Sequence, residues 1–177
     1  EKAYAKIHGS YDAIEGGHVS EGLVDLTGGI GDAMSLRTEK AKQSIHDGSF
    51  WAKMKGLSED GHLLGCGSHS GKDTDISDKG IVQGHAYSIL RVEEVDGQRL
   101  LQLRNPWGDT EWKGKWSDGD KASWTQRMQA KLDHKDKNDG TFWMAFEDFV
   151  RNYSTVYICR VLGDGWQRQL VSSAWKG

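Results

Sequence analysis

An α+β fold is predicted, an antiparallel sheet with flanking helices, from three observations. Apolar residues fall at helical spacing early in the chain, a long hairpin is written around Asp96-Gly97, and helical and strand segments come in runs rather than in strict alternation. Ala3, Tyr4, Ile7, Tyr11 and Ile14 share one helical face, so residues 1–14 are expected to form one helix that Gly16-Gly17 stops. Leu23, Val24 and Leu26 lead into Thr27-Gly28-Gly29, a hinge because glycine accepts backbone angles other residues avoid. Residues 35–56 read as a second helix, with Leu36, Ala41, Ile45, Trp51 and Met54 loosely periodic. A short buried strand is expected at 62–66, and the Ser-, Gly- and Asp-rich stretch 67–80 is a loop. Residues 86–95 and 99–105 flank the tight-turn dipeptide Asp96-Gly97 and read as the two strands of a hairpin. Pro106, the only proline, ends the second strand because it has no N–H for a ladder. A Trp-, Gly- and Asp-rich loop over 107–124, a helix over 123–132, a charged loop over 134–141, a short helix over 146–153 and a strand over 155–162 complete the reading. No internal repeat or low-complexity tract is present.

Composition narrows the functional classes. The 177 residues suit one domain or little more, and 36% hydrophobic with 28% charged residues fits a folded soluble domain. The net charge of -3 supplies no basic excess for a nucleic acid, and no basic amphipathic run suits a membrane surface. No apolar run approaches the roughly 18 residues of a spanning helix. Cys66 and Cys159 stand alone, which is no disulfide framework and favours a reducing compartment such as the cytoplasm. The chain opens inside a helical pattern and closes on Ala174-Trp175-Lys176-Gly177 without a capping signal, so a fragment of a longer polypeptide is expected.

The chemistry is concentrated at His85 and Asn105. They lie 20 positions apart (105 minus 85), 11 before Asp96 (96 minus 85) and 8 after Gly97 (105 minus 97), so a hairpin brings them to the same end, with the unequal arms requiring a bulge or offset. A histidine alone in a strand is more often a packing residue, and an asparagine before proline more often serves a turn. Together they are two thirds of a thiol-protease site. The carboxamide oxygen accepts from one ring N–H and fixes the tautomer, and the other ring nitrogen is left to take a thiol proton. Trp107, two residues after Asn105, is placed to cover that hydrogen bond and exclude water.

Gly84-His85-Ala86-Tyr87-Ser88, Arg104-Asn105-Pro106-Trp107-Gly108, Glu111-Trp112 and Asp139-Gly140-Thr141-Phe142-Trp143 follow one another here as they do in calpains, the calcium-dependent cytosolic cysteine proteases. The opening Glu1-Lys2-Ala3-Tyr4-Ala5-Lys6, Gly16-Gly17 and Thr27-Gly28-Gly29 extend the resemblance over nearly the whole chain, and the segments 1–29 and 81–107 resemble the plant-type calpains in particular. The resemblance implies a papain-like protease core of two subdomains with the site between them. Residues 1–29 would be the end of the first subdomain, 30–162 the second subdomain, which carries histidine and asparagine, and 163–177 the start of a following β-sandwich domain. His85 would be the general base, Asn105 its orienting partner, Trp107 the shielding indole, and Gly29 and Gly84 the glycines whose backbones bind an extended protein or peptide substrate. The nucleophilic cysteine would lie upstream.

The resemblance also implies one calcium ion held by Glu111, Asp118 and Asp139 with the backbone carbonyl of Lys137. Hard oxygen ligands on flexible loops suit that ion. Thr141 stands where many calpains place a glutamate, and one carboxylate fewer weakens the site. Trp107, Trp112, Trp116, Trp124 and Trp143 are expected mostly to anchor packing, with one or two rearranging on calcium binding so that Trp107 reaches the cleft. The implied activity is a calcium-dependent cysteine endopeptidase, inactive as this fragment, whose partners are the remaining domains of its parent; membrane anchoring of that parent is left open. Two rivals remain. One is a non-catalytic calcium-responsive module. The other is a small hydrolase using Cys66, which is disfavoured because Cys66 lies in an apolar strand rather than at a helix N-terminus that favours thiolate.

Overall fold

A six-stranded, wholly antiparallel sheet is the frame of the computed structural model, which describes residues 1–163, 165, 166 and 173. In chain order the strands are β1 (Ile30–Ser35), β2 (Leu63–Ser68), β3 (Ala86–Val95), β4 (Gln98–Arg104), β5 (Thr141–Ala145) and β6 (Tyr153–Arg160), and their order across the sheet is β1-β6-β2-β3-β4-β5. The helices are α1 (Lys2–His8), α2 (Val19–Thr27), α3 (Glu39–His46), α4 (Ser49–Glu59), α5 (Gln126–Leu132) and α6 (Phe146–Asn152). The α+β expectation with an antiparallel sheet is met. Among the described residues, no helix is long and apolar enough to cross a membrane.

Several boundaries differ from the sequence reading, each for a local reason. The helix expected over 1–14 ends at Gly9, whose φ of 98° breaks it, and only a 3-10 turn at Asp12–Ile14 follows. The helix expected over 35–56 is two helices. Thr38 caps α3 by accepting from the Ala41 N–H, and Gly48, at φ 83°, separates α3 from α4. Helix α2 falls where only a hinge was expected; Gly28 closes it in the left-handed region. Strand β1 is mostly exposed and lacks the alternation that marks a half-buried strand. Strand β5 runs straight into α6, with Ala145 both ending the strand and standing at the N-cap position without a side-chain cap, so no turn or capping residue announces it. Helix α5 starts at Gln126 because the Thr125 hydroxyl accepts from the Met128 N–H. The expectation for 163–177 lies, apart from Gly163, Gly165, Trp166 and Ser173, outside the described residues.

One cluster, between the sheet and α4 and α6, contains Phe50, Trp51, Met54, Tyr87, Leu101, Leu103, Phe142, Phe149, Tyr153 and Ile158. A second contains Leu100, Trp143 and the α5 residues Met128 and Leu132, with Trp116 and Trp124 from the long loop. Fully burying a Leu or Phe side chain contributes about 1.5–3 kcal/mol, so both faces of β4 hold its register.

The β3–β4 hairpin sets the site. Asp96 and Gly97 both have positive φ, at 50° and 74°, and Val95 pairs with Gln98 across them. The Asp96 carboxylate also accepts from Arg127 and Lys131 of α5, which holds its pKa at about 2. Pairing runs in register from Val95↔Gln98 to Arg91↔Gln102, then shifts by one residue at Leu90 and resumes as Ile89↔Leu103 and Ser88↔Arg104. This bulge is the offset that the unequal arms required. Paired residues share a face of the sheet, so the shift changes which face the rest of each strand presents. Continued without it, the first register would set Asn105 opposite Ser88, away from His85. With it, Asn105 continues the buried face of Leu101 and Leu103, and His85 continues the face of Tyr87 and Ile89. Deleting Leu90 should therefore turn the bulge into a regular ladder in which Ile89↔Leu103 follows directly on Arg91↔Gln102, leaving Asn105 beside His85; a slowly exchanging His85 ring N–H that persists in proton NMR, with far-ultraviolet circular dichroism retained, is the expected result.

Candidate active site

His85 sits one residue before β3 and Asn105 one residue after β4. The His85 Nε2 and Asn105 Oδ1 atoms are 2.9 Å apart. Donor and acceptor follow from what else the carboxamide does. Asn105 Oδ1 also accepts the Trp107 backbone N–H at 3.1 Å, and Nδ2 donates to the Thr110 carbonyl at 3.1 Å. A carboxamide flipped end for end would face an N–H with an N–H and a carbonyl with a carbonyl. Oδ1 therefore faces His85, Nε2 carries the proton, and the Nδ1 lone pair is free. Asn105 is fully buried, and its backbone is pinned as well, the N–H to Gly140 O at 2.8 Å and the carbonyl from Gly108 N at 3.1 Å.

The His85 ring lies between two aromatics. Trp107 covers its outer side, with ring centroids 4.4 Å apart, and is 47% exposed. Tyr87 meets it edge-on from the core at 5.1 Å, and the Tyr87 hydroxyl accepts the Val82 N–H. Burial pushes the Tyr87 pKa up to about 12, so that hydroxyl stays neutral. Trp107 thus lies against His85 in this structure. Trp112, Trp116, Trp124 and Trp143 are all buried, as packing residues should be.

The backbone that carries His85 is held by residues the sequence did not single out. Ser68 Oγ accepts the His85 N–H at 2.9 Å and the Ser68 N–H donates to His85 O at 3.0 Å. Nothing in composition or spacing marks Ser68, because its role depends on a strand pairing made 17 residues away. Thr110 was likewise missed, since it acts through its carbonyl. Of the two glycines singled out, Gly84 has φ 59°, and a Cβ there would overlap the Gly71 carbonyl oxygen. Gly29 is buried, and a Cβ on it would stand 2.7 Å from Cys159 Sγ. Both positions require glycine for the fold itself.

Neither cysteine is available as a nucleophile. Cys66 is fully buried in the main core, and burial pushes its thiol pKa well up, away from thiolate. Cys159 is fully buried on the opposite face, with Sγ 3.3 Å from Thr27 Oγ1.

The acidic residues gather in the loops beside the hairpin. Glu111 Oε1 accepts the backbone N–H groups of Asp139 and Gly140, at 3.0 and 2.7 Å. Asp118 Oδ2 accepts the Lys137 N–H at 3.0 Å, while Asp118 Oδ1 is buried without a hydrogen-bond partner among the described residues. Burial, then the neighbouring acids, raises the pKa of Asp118; burial raises that of Glu111, with Asp118 and Asp139 adding to it. Asp139 is lowered by its bonds to Thr141. These loops therefore collect negative charge and leave one buried carboxylate oxygen unsatisfied, a donor set that fits a hard cation. They do not form a ready cage: among the described residues, no three His, Cys, Asp or Glu side chains converge as a metal site.

Comparison with known proteins agrees with this geometry. The family model for calpain family cysteine proteases matches residues 1–160. The chain is 49% identical over 179 residues to the calpain-type cysteine protease DEK1 of Arabidopsis thaliana and equally to the calpain-type cysteine protease ADL1 of rice, Oryza sativa. In each case the match covers 100% of this chain and 8% of the relative. With the calpain-2 catalytic subunit of the mouse, Mus musculus, identity is 42% over 174 residues, covering 93% of this chain and 24% of that protein. The chain thus spans only a small part of the relatives it matches, and its identity to these plant proteins exceeds that to the mouse protein. A buried carboxamide aligning an imidazole under an indole, on a chain matched over this length, has one conclusion: the protein belongs to the calpain family of cysteine proteases.

Proposed function

We propose that this chain supplies the general-base half of a cysteine endopeptidase. The observation that carries the reading is the 2.9 Å contact from His85 Nε2 to Asn105 Oδ1, which leaves Nδ1 as the only ring nitrogen free to accept a proton. In the parent enzyme, an upstream cysteine gives its thiol proton to His85 Nδ1, and the thiolate sulfur attacks the peptide carbonyl carbon. His85 returns the proton to the departing amine nitrogen as the C–N bond breaks, leaving an acyl-enzyme. Water then gives His85 a proton as it attacks that thioester, and the thiol regains it on release. Asn105 keeps the imidazole in one tautomer throughout, and Trp107 keeps water from their hydrogen bond. Gly29 and Gly84 are the proposed backbone contacts for an extended peptide. The two unpaired cysteines suit a reducing compartment, as cytoplasmic placement of the parent requires.

Substituting His85→Ala in the parent enzyme should lower kcat for a peptide substrate by roughly 10²–10⁴-fold, the usual worth of a positioned base. The 177-residue chain alone should not cleave casein, because both of its cysteines are buried. Calcium-stimulated cleavage by the chain alone, lost on Cys66→Ala, would overturn this reading in favour of a small hydrolase. The remaining rival, a non-catalytic calcium-responsive module, is decided by whether the parent carries cysteine at the upstream position.

A weak calcium site on Glu111, Asp118, Asp139 and the Lys137 carbonyl is part of the proposal, supported by the unpartnered Asp118 Oδ1 and the raised pKa values of Glu111 and Asp118. A bound calcium ion would supply positive charge against these carboxylates and order the loops; no proton transfer passes through it. Calcium should change the tryptophan fluorescence of the chain, and Asp118→Asn should raise the half-saturating calcium concentration at least about tenfold, one less charged oxygen ligand being a large fraction of such a site. An identical titration of the two proteins would remove calcium from the account.

A further inference from the structure

We propose that Ser68 is a positioning residue for His85, its hydroxyl standing in for a missing backbone acceptor at the last rung of the sheet before the site. The inference rests on the reading of His85 as the general base.

Strands β2 and β3 pair from Leu64↔Ile89 to Gly67↔Ala86. The next rung would join Ser68 and His85 by two backbone hydrogen bonds. Only one is made, from Ser68 N to His85 O at 3.0 Å. The register between β2 and β6 shifts at Gly67/Ser68, and the Ser68 carbonyl instead accepts from Ser154 Oγ at 2.9 Å. His85 N–H therefore needs another acceptor, and Ser68 Oγ supplies it at 2.9 Å while lying 3.2 Å from His85 O, to which it donates. One hydroxyl thus grips both backbone polar groups of His85. The following residue holds the preceding peptide, with Gly84 N donating to His69 O at 2.6 Å. Two consecutive residues clamp two consecutive amides, and Ser154 ties the clamp to the start of β6.

The grip matters because the imidazole reaches Asn105 from a residue just outside the regular ladder. Asn105 is fixed by four hydrogen bonds of its own, so the His85–Asn105 distance depends on where the His85 backbone sits. A displacement of about 1 Å at a catalytic group can cost as much as 10²-fold in rate. Ser68 is 6% exposed, so no bulk water replaces its hydroxyl when it is removed. Alanine at 68 leaves the His85 N–H without its acceptor and frees the residue to shift.

The test follows the His85 Nε2–H proton by NMR in the full 177-residue chain and kcat in the parent enzyme. Ser68→Ala should speed exchange of that proton with water by about five- to tenfold, the worth of one hydrogen bond. In the parent enzyme the same variant should lower kcat by a similar factor with KM within about twofold. Ser68→Thr, which keeps the hydroxyl, should restore both. Ser68→Cys keeps the volume with a poor acceptor and should behave as alanine, which preserves the test if the alanine variant does not fold. A role confined to folding would change the yield of folded protein but neither the exchange in the folded fraction nor kcat. A folded Ser68→Ala or Ser68→Cys variant with wild-type exchange and kcat overturns the proposal alone. A wild-type chain with no protected Nε2–H overturns the His–Asn reading, and the proposal with it.

Discussion

The buried carboxamide oxygen of Asn105 is the point on which the site depends, because it accepts from two donors at once, the His85 ring and the Trp107 backbone. Burying such a group is costly unless its polar atoms are paired, and each buried group left unpaired costs about 1–3 kcal/mol. Pairing it here requires β4 to end in one register, Pro106 to release the chain so that Trp107 turns back over its own predecessor, and the loop to return far enough for Thr110 O to meet Nδ2. The same requirements put the indole on the histidine. Orienting the imidazole and covering it are thus consequences of one satisfied amide.

The residues of the candidate site that meet in the structure, His85, Asn105 and Trp107, were legible in the sequence, but the geometry that joins them was only half so. Asp96-Gly97 announces the hairpin, and counting outward from it shows that His85 and Asn105 need an offset. Leu90, where the offset lies, carries no signal: it is an ordinary strand residue in an apolar run, half-exposed because the bulge turns it out. Elements marked by capping or turn residues were found approximately, except α2, which was read as a hinge although Gly28 closes it. Those without such marks, β1 and β5, were missed, since their strand character comes from neighbours far along the chain rather than from local preference. Ser68 was invisible for the same reason. Its hydroxyl matters only because β6 takes its carbonyl elsewhere.

The tryptophans divide by environment. Trp116 and Trp124 pack edge to face and, with Trp143, make a second apolar centre that anchors the 107–124 loop to β4, β5 and α5. Trp124 also stacks flat on His134, which faces Asp118 Oδ1 at 3.9 Å. The acidic loops are therefore mounted on a rigid aromatic base while their own charge is incompletely compensated. That combination keeps the carboxylates close together against their mutual repulsion. It also explains how residues 111, 118, 137 and 139, far apart in the chain, come to share backbone hydrogen bonds.

The most direct test of the central claim is the tautomer of His85, read from the nitrogen-15 chemical shifts of its ring in the neutral form. Protonation at Nε2 with an unprotonated, acceptor-type Nδ1 is the predicted result, and Asn105→Ala should abolish that preference. A ring protonated at Nδ1, or one that samples both tautomers equally in the intact fold, would contradict the account.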